Sequence, residues 1–345
     1  MNLDKTLSAR ILVTGGLGYI GSHTVAEILR TTNWKVLIID NLINSEPGVK
    51  GNIEKATGKK VDLIIGDLAK ASCEIYKLDP DEFDAVIHFA ALKSVPESSK
   101  NPTLYYENNL MSTSRLIEWV KGSNIKRFIF SSSCAVYGEQ ARSPVIEDEP
   151  FGIPLSPYAH TKQLCEHIVQ LSESASNIVL RYFNPAGADS SGLLGDNLKS
   201  PSPGLTTILC NSAVSTKKVS VFGYNYPTPD GTCIRDYIHV NDIASAHIAA
   251  VSIENIPISN LYNYPVVNLG TGVGLSVLQA IDTFEKCNDI NFDINLEERR
   301  IGDIASIYAS ASIAEQHLKW IPKHTIMDIM TSAYKWTLKN QEKIS

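Results

Sequence analysis

No stretch of this 345-residue sequence is long and apolar enough to cross a bilayer; the longest hydrophobic runs have the length of a strand. Positive charge is in short supply. With 31 Lys and Arg against 37 Asp and Glu, the net charge of −6 supplies no basic field, which argues against nucleic acid as a partner. Cysteine is sparse, and the six residues (73, 134, 165, 210, 233 and 287) contain no C-x-x-C pair. That disfavours a disulfide framework or a zinc site and fits reduced, cytoplasmic thiols. The first residues, Met1-Asn-Leu-Asp-Lys-Thr6, lack the apolar run of a signal peptide. Repeats and low-complexity tracts are missing too. What is present is an ordinary globular balance, 43% hydrophobic and 20% charged, in a chain long enough for two domains or one large domain with an annex.

Short β-branched runs alternate with longer helical patterns. Strands are expected at 10–14, 35–40, 61–65, 84–89, 126–131 and 178–183, with helices between them at about 20–32, 103–122 and 158–175. Strands without polar alternation are what a parallel sheet covered on both faces requires, so the ordering reads as a doubly wound α/β (Rossmann) fold. After Phe183 the texture turns to Gly, Pro, Ser and Asn. A helix at 205–216, strands at 219–222 and 266–269, and helices at 275–287 and 325–340 are expected there. The helix following Arg235–Val240 should be capped by Asn241 or Asp242. The expected division is a nucleotide-binding domain over 1–185, with return segments near 235–270, and a smaller, discontinuous C-terminal α/β substrate domain over 186–345.

The first strand runs into Thr14-Gly-Gly-Leu-Gly-Tyr-Ile-Gly-Ser-His23, where Gly15, Gly18 and Gly21 allow a tight turn and close approach of a pyrophosphate to a helix N-terminus. The second strand ends in Asp40, whose carboxylate suits a ribose 2′-hydroxyl and repels a 2′-phosphate, favouring NAD over NADP. The Gly270–Gly274 run lies far from this unit and reads as a turn before a helix. Farther along, Tyr158 and Lys162 are one helical turn apart. Converting a phenol of pKa ~10 into a base near neutrality takes roughly 4 kcal/mol. One cation at ~4 Å in an effective dielectric of ~20 supplies about that much. Ser133, at the end of the preceding strand, could be an ordinary hydroxyl or a substrate contact. His88, within an apolar strand, reads as a satisfied core group, and Cys134 as a small buried residue behind the strand rather than a nucleophile. No histidine has metal-ligand spacing.

Several specific stretches carry a resemblance: TGGLGYIGSHT (14–24), IIDNLINS (38–45), HFAALKSVPES (88–98), FIFSSSCAVYGE (128–139), SPYAHTK (156–162), LRYFNPAGA (180–188), YPTPDGTCIRDYIHV (226–240) and RRIGD (299–303). From about residue 10 to about 310 the chain resembles the extended short-chain dehydrogenase/reductases, and within them the UDP-glucose 4-epimerases. The resemblance implies NAD held by Gly15, Gly18, Tyr19, Ile20 and Gly21, by Asp40, Asn41, Asn44 and Ser45, and by Asp67 and Leu68 near the adenine. Phe89, Ala90, Lys93 and Asn108 or Asn109 would line the rest of the groove. It makes Tyr158 the acid/base, Lys162 its electrostatic partner and ribose anchor, and Ser133 the hydroxyl on the sugar O4. Lys93, Asn184, Arg235, Arg300 and Asp303 would contact the UDP-sugar. The implied reaction is inversion at C4 of a UDP-hexose through a 4-keto intermediate, in a homodimer paired through the helices at 103–122 and 158–175. Two alternatives stay open: an epimerase or reductase for another nucleotide sugar such as a UDP-uronic acid, and a catalytically silent NAD sensor.

The chain also departs from the resembled pattern. Dehydratases of this kind place Asp-Glu after the catalytic hydroxyl; here those positions are Cys134 and Ala135, which removes the acid/base pair for water elimination. An Asn-Asn-Leu that reaches the diphosphate is replaced by Pro203-Gly204-Leu205, with Thr206 or Thr207 as substitute donors. Pro96 and the Leu110-Met-Ser-Thr113 segment replace frequent glycines. The position that is a bulky tyrosine in glucose-only enzymes aligns with Ile307, followed by Tyr308, which implies a pocket admitting an N-acetyl group.

Overall fold

The computed structural model describes residues 4–139, 141–171, 176–197, 203–300 and 302–341. Its first half lays down β1 (Arg10–Thr14), α1 (Tyr19–Thr31), β2 (Lys35–Asp40), α2 (Gly48–Thr57), β3 (Asp62–Ile65), β4 (Ala85–His88), α3 (Val95–Lys100), α4 (Pro102–Val120), β5 (Arg127–Ser133), α5 (Pro157–Gln170) and β6 (Ser176–Tyr182). The second half adds β7 (Asn184–Ala186), α6 (Leu205–Val214), β8 (Lys218–Phe222), β9 (Ile234–Arg235), β10 (Tyr237–His239), α7 (Val240–Ser252) and β11 (Val266–Leu269). It closes with β12 (Leu275–Ser276), α8 (Val277–Asn288), β13 (Asp293–Glu297), β14 (Ser306–Ile307) and α9 (Ile326–Lys339). The expected elements are found within a few residues of these bounds. Residues 172–175 of the helix expected at 158–175 lie outside the described residues.

Seven parallel strands form the central sheet in the order β3-β2-β1-β4-β5-β6-β11. Alternation along β1 decides its layers. Ile11 and Val13 pack with Val25 and Ile28 of α1 and Ile243 and Ala246 of α7. Leu12 faces the other way, toward Leu116 and Val120 of α4 and Cys165 and Val169 of α5. Both faces are therefore covered, as the unalternated strands require. A second core gathers Leu209 of α6, Val219 and Val221 of β8, Phe284 of α8 and Met330 of α9.

The strand order reverses direction between β1 and β4, which opens a crevice beyond their carboxyl ends. The glycine turn after β1 and the Phe89–Ala90 segment after β4 meet there. Gly15 has φ +66°, and a Cβ on it would lie 2.8 Å from the Ala90 nitrogen, so only glycine fits.

One local expectation changes, and the departures at Pro96 and Thr113 find their structural reasons. α7 is capped by His239, whose Nδ1 accepts the Asn241 N–H at 3.1 Å, and not by Asn241 or Asp242. Asp242 is occupied elsewhere, accepting from the N–H and ring of His324. Pro96 sits in the first turn of α3, where its missing N–H costs nothing, and Ser94 caps that helix by accepting from Glu97. Thr113 fills its non-glycine position by holding His88 Nε2 at 3.1 Å while Thr14 holds Nδ1 at 2.7 Å, so His88 is a satisfied core group. Gly270–Gly274 forms the turn ahead of α8, wrapped around the Asp236 carboxylate.

Candidate active site

A cavity of about 1020 Å³ runs from the glycine turn, across the ends of β4, β5 and β6, to α6, β8 and Arg300. At one end α1 begins at Gly18 with no side-chain cap, leaving its first N–H groups directed at the cavity. Gly21 lets the turn close, since a Cβ there would lie 2.2 Å from the Gly15 carbonyl oxygen.

Asp40 ends β2 with its carboxylate already accepting three donors: Leu17 N–H at 3.0 Å, Leu42 N–H at 2.9 Å and the Ser45 hydroxyl at 2.7 Å. An ionised carboxylate has about four acceptor sites, so roughly one remains. Asn41, Asn44, Asp67, Leu68, Tyr19, Ile20, Phe89 and Ala90 line the same end. Of the neighbouring pair Asn108 and Asn109, only Asn108 lines the cavity. Asn109 is buried behind it, bonding both backbone groups of Leu92 and the Thr161 hydroxyl. Its placement in the groove is corrected: it braces the wall.

Midway along, Ser133, Tyr158 and Lys162 come together at the end of β5 and the start of α5. Ser133 leaves the sheet as the cap of a short 3₁₀ turn, its hydroxyl accepting from Ala135 at 3.2 Å and lining the cavity with the Tyr158 phenol. Burial pushes that phenol up to about 12, with the Ser133 hydroxyl working against the rise. Burial also pushes the Lys162 ammonium down to about 8. Its Nζ donates to the Ser131 carbonyl at 2.6 Å. The positive charge expected of Lys162 therefore has to act on Tyr158 against this burial. Both groups sit in the same desolvated wall, which penalises each charged form. Cys134 is corrected in its placement, while its reading as a non-nucleophile stands. It lines the cavity beside Ser133 instead of packing behind the strand, and burial holds its thiol near 12, far from a nucleophilic thiolate.

The far end is basic and aromatic. Arg235 donates to the carbonyls of Ile234 and Ile304 and pairs with Asp303 at 3.6 Å. Arg300 lies over the Phe222 ring at 3.6 Å. The Asn184 Oδ1 is buried without a hydrogen-bond donor among the described residues, as expected of a group awaiting one. α6 begins at Gly204, again without a side-chain cap, and Thr206 and Thr207 line its first turn. Thr207 donates to Asp196 at 2.7 Å. Ile307 packs with Val136, Tyr137 and Phe183 and, like Tyr308, is not part of the cavity wall. Among the described residues no group of His, Cys, Asp and Glu could hold a metal ion, and no helix is long and apolar enough to cross a membrane.

The sequence model of the NAD dependent epimerase/dehydratase family matches residues 11–264, which span β1 to just before β11. The chain belongs to that family. Within it, the chain is 40% identical to a UDP-glucose 4-epimerase of Yersinia enterocolitica over 335 residues, 96% of this chain and 98% of the relative. Among solved structures it is similar to UDP-glucose 4-epimerase from Bifidobacterium longum in complex with NAD+ and UDP, at a TM-score of 0.89 and 41% identity, covering 97% and 99% of the two chains. The UDP-Glc/GlcNAc 4-epimerase from Campylobacter jejuni gives a TM-score of 0.81 at 34% identity, over 96% and 99%.

For a chain of the epimerase/dehydratase family, the sequence understated one segment. Residues 189–197 read only as a loop, yet they supply Asp196, which faces Lys93 across the cavity at 3.9 Å. Asp196 is held by the Thr207 hydroxyl and by the Trp336 indole, which donates to its carbonyl. Its signal was a lone Asp between Gly195 and Asn197, indistinguishable from turn chemistry. Phe222 was legible as a strand end but not as the platform under Arg300.

Proposed function

We infer that this chain is an NAD-dependent isomerase that inverts C4 of a UDP-hexose. The observation carrying this reading is one cavity that joins an open glycine-turn helix N-terminus, the Ser133/Tyr158/Lys162 cluster, and an end built from Asn184, Arg235 and Arg300. Its supports are the family membership and the names of relatives similar over nearly the whole chain.

The residues present fit NAD. The uncapped start of α1 and the glycine cradle suit a pyrophosphate, and the remaining acceptor site on Asp40 suits a ribose hydroxyl but not a phosphate. Gly15, Gly18, Tyr19, Ile20, Gly21, Asp40, Asn41, Asn44, Ser45, Asp67, Leu68, Phe89, Ala90, Lys93 and Asn108 would hold it, with Tyr158 and Lys162 at the reactive end. When bound, NAD supplies reversible two-electron oxidation of the sugar C4. Tyr158 takes the proton from the C4 hydroxyl and gives one back to the C4 oxygen on the return step. Ser133 donates to the same oxygen, and Lys162 supplies the positive charge that the phenolate needs. Arg235 and Arg300 hold the diphosphate by forked guanidinium contacts, and the α6 N-terminus with Thr206 stands where an asparagine amide is missing. A firmly held diphosphate and a loosely held hexose let either face of C4 meet the cofactor. With Cys134 and Ala135 after Ser133, the cavity wall offers no acid/base pair for dehydration.

The test is a panel of UDP-glucose, UDP-galactose, UDP-N-acetylglucosamine and UDP-glucuronic acid assayed for C4 inversion. Inversion of UDP-glucose is expected. With Ile307 turned into the apolar cluster, the N-acetyl sugar should be inverted as well. Bound NAD with no conversion of any sugar would refute the enzyme and leave a sensor. Gly18→Ala is expected to weaken NAD retention, because the added Cβ would lie 3.2 Å from the Gly15 carbonyl on the cavity side. Overpacking of this kind costs about 1–3 kcal/mol, which is about 5- to 150-fold in affinity. NAD release measured after desalting checks it.

The same reading extends to organisation. The cofactor half is assigned to 1–185 with the return segments near 235–270, and the substrate half to the remainder of 186–345. A homodimer through α4 and α5 is supported by exposed Leu104 and Met111 on α4. A cytoplasmic location is supported by the six free cysteines.

A further inference from the structure

Tyr158, Lys162 and Glu166 follow one another at four-residue intervals along α5 and share a face. Glu166 does not line the cavity. Its side chain and that of Arg181 are both 0% exposed, and the two are ion-paired at 2.7 Å. The Glu166 carboxylate accepts Arg181 Nε (3.0 Å), Arg181 Nη2 (2.7 Å), the Tyr264 hydroxyl (2.8 Å) and the Ser132 hydroxyl. All of its acceptor sites are filled. Arg181 pairs in register with Ser132 across β5 and β6, and the rings of Tyr137, Phe151 and Tyr262 surround its guanidinium at 4.5–5.2 Å. Ser132 lies between Ser131, whose carbonyl accepts from Lys162, and Ser133, whose hydroxyl lowers the Tyr158 pKa against its burial.

A buried ion pair is a poor way to gain stability, since apolar residues of similar volume often do as well. Two of its attachments run to Tyr264 and to the Glu147 carbonyl, and one, through the Ser132 hydroxyl, leads to the reacting end of β5.

We infer that Glu166, fixed by Arg181, is a positioning residue for the Tyr158/Lys162 pair, tethering the Ser131–Ser133 strand end through Ser132 and keeping a negative charge one turn behind the ammonium. Lys162 is faced by Tyr158, Cys165 and Glu166 from its own helix, by His88 from β4, and by the Phe130 ring and Ser131 carbonyl from β5. Burial holds His88 neutral, with its pKa near 3, and raises the Cys165 thiol, so Glu166 is the carboxylate among these neighbours. Removing it makes the Lys162 proton easier to lose.

This rests on the reading of Tyr158 and Lys162 given above. The test compares the NAD-loaded wild type with Glu166→Gln and with Glu166→Gln/Arg181→Met, which leaves no orphaned guanidinium. The first readout is kcat and KM for UDP-glucose against pH. The second is an NMR titration of ¹³C-lysine-labelled chain, with Lys162 assigned by the signal lost in Lys162→Met. Expected are a tenfold or greater fall in kcat, a KM within about twofold, and a Lys162 midpoint lower by about one pH unit, with the alkaline limb of kcat moving alongside. Ser132→Ala, which cuts the tether and leaves the ion pair, should lower kcat without moving the Lys162 midpoint. Folded variants, by near-UV circular dichroism, with unchanged kcat and midpoint would overturn the inference; so would an unchanged kcat in Ser132→Ala. A wild type that inverts no UDP-hexose would sink the parent reading instead, and the lysine titration would then decide the Glu166 contact alone.

Discussion

Tyr158→Phe should lower C4 inversion by about 10²–10⁴-fold, the usual worth of a positioned acid/base group. The aromatic ring remains and only its hydroxyl is lost, so NAD retention after desalting should match the wild type. The loss should be in kcat, because the other residues that line the nucleotide end of the cavity are untouched. The pH dependence follows from the wall in which the pair sits. Burial puts the phenol near 12 in the ligand-free chain, so at neutral pH it is protonated and needs a nearby cation to release its proton. Lys162 is that cation only while it is charged. Its midpoint is pushed down to about 8, so it is an ammonium below that pH and loses its charge as pH rises through it. Wild-type kcat should therefore fall on the alkaline side of about 8. Initial rates with UDP-glucose across the pH range measure both effects. Near-normal turnover by Tyr158→Phe would remove the tyrosine from the mechanism.

Arg181→Met should be the most destabilising single change among those named here. It strips Glu166 of its two guanidinium bonds and leaves a fully buried carboxylate with only hydroxyl partners. Breaking one side of a buried pair costs about 3–5 kcal/mol, against a total stability of roughly 5–15 kcal/mol. The urea midpoint of the ligand-free chain should drop accordingly. Removing Glu166 as well, by Glu166→Gln, should restore part of it, because the cost is the stranded charge more than the missing bond. A single variant within about 1 kcal/mol of wild type would mean that the carboxylate finds another partner or a proton; that range is typical of substitutions away from buried networks.

Much of this was legible in the residues because the physics was local. The uninterrupted apolar runs gave a covered parallel sheet, and glycines between β1 and α1 gave the turn at its crevice. Asp40 was placed by strand length alone. Where neighbours in sequence diverge in space, the reading was blunt. Asn108 and Asn109 are adjacent on α4, so about 100° of helix rotation separates them and only one can reach the cavity. Tyr158 and Lys162 shared a face as expected, but the desolvation of Lys162 depends on Phe130 and Ser131, which come from a distant segment. α2 went unseen because GVKGNIEKAT carries two glycines and buries only Ile53. His239 takes the cap of α7 because the helix begins at Val240, ahead of both expected caps, and Asp242 in its first turn is held by His324.

The Lys93–Asp196 contact has a consequence for how a guest enters. The lysine side chain is 56% exposed and its carboxylate partner is 3.9 Å away, so the pair belongs to the class of surface ion pairs that contribute about 0–1 kcal/mol. One member comes from the loop after β4 and the other from the segment leading to α6, so the two segments are joined along the cavity lining by an exchangeable electrostatic clasp. An anionic visitor offers Lys93 a second partner of the same sign as the first. Breaking the clasp to make the exchange costs no more than the pair contributes, about 0–1 kcal/mol.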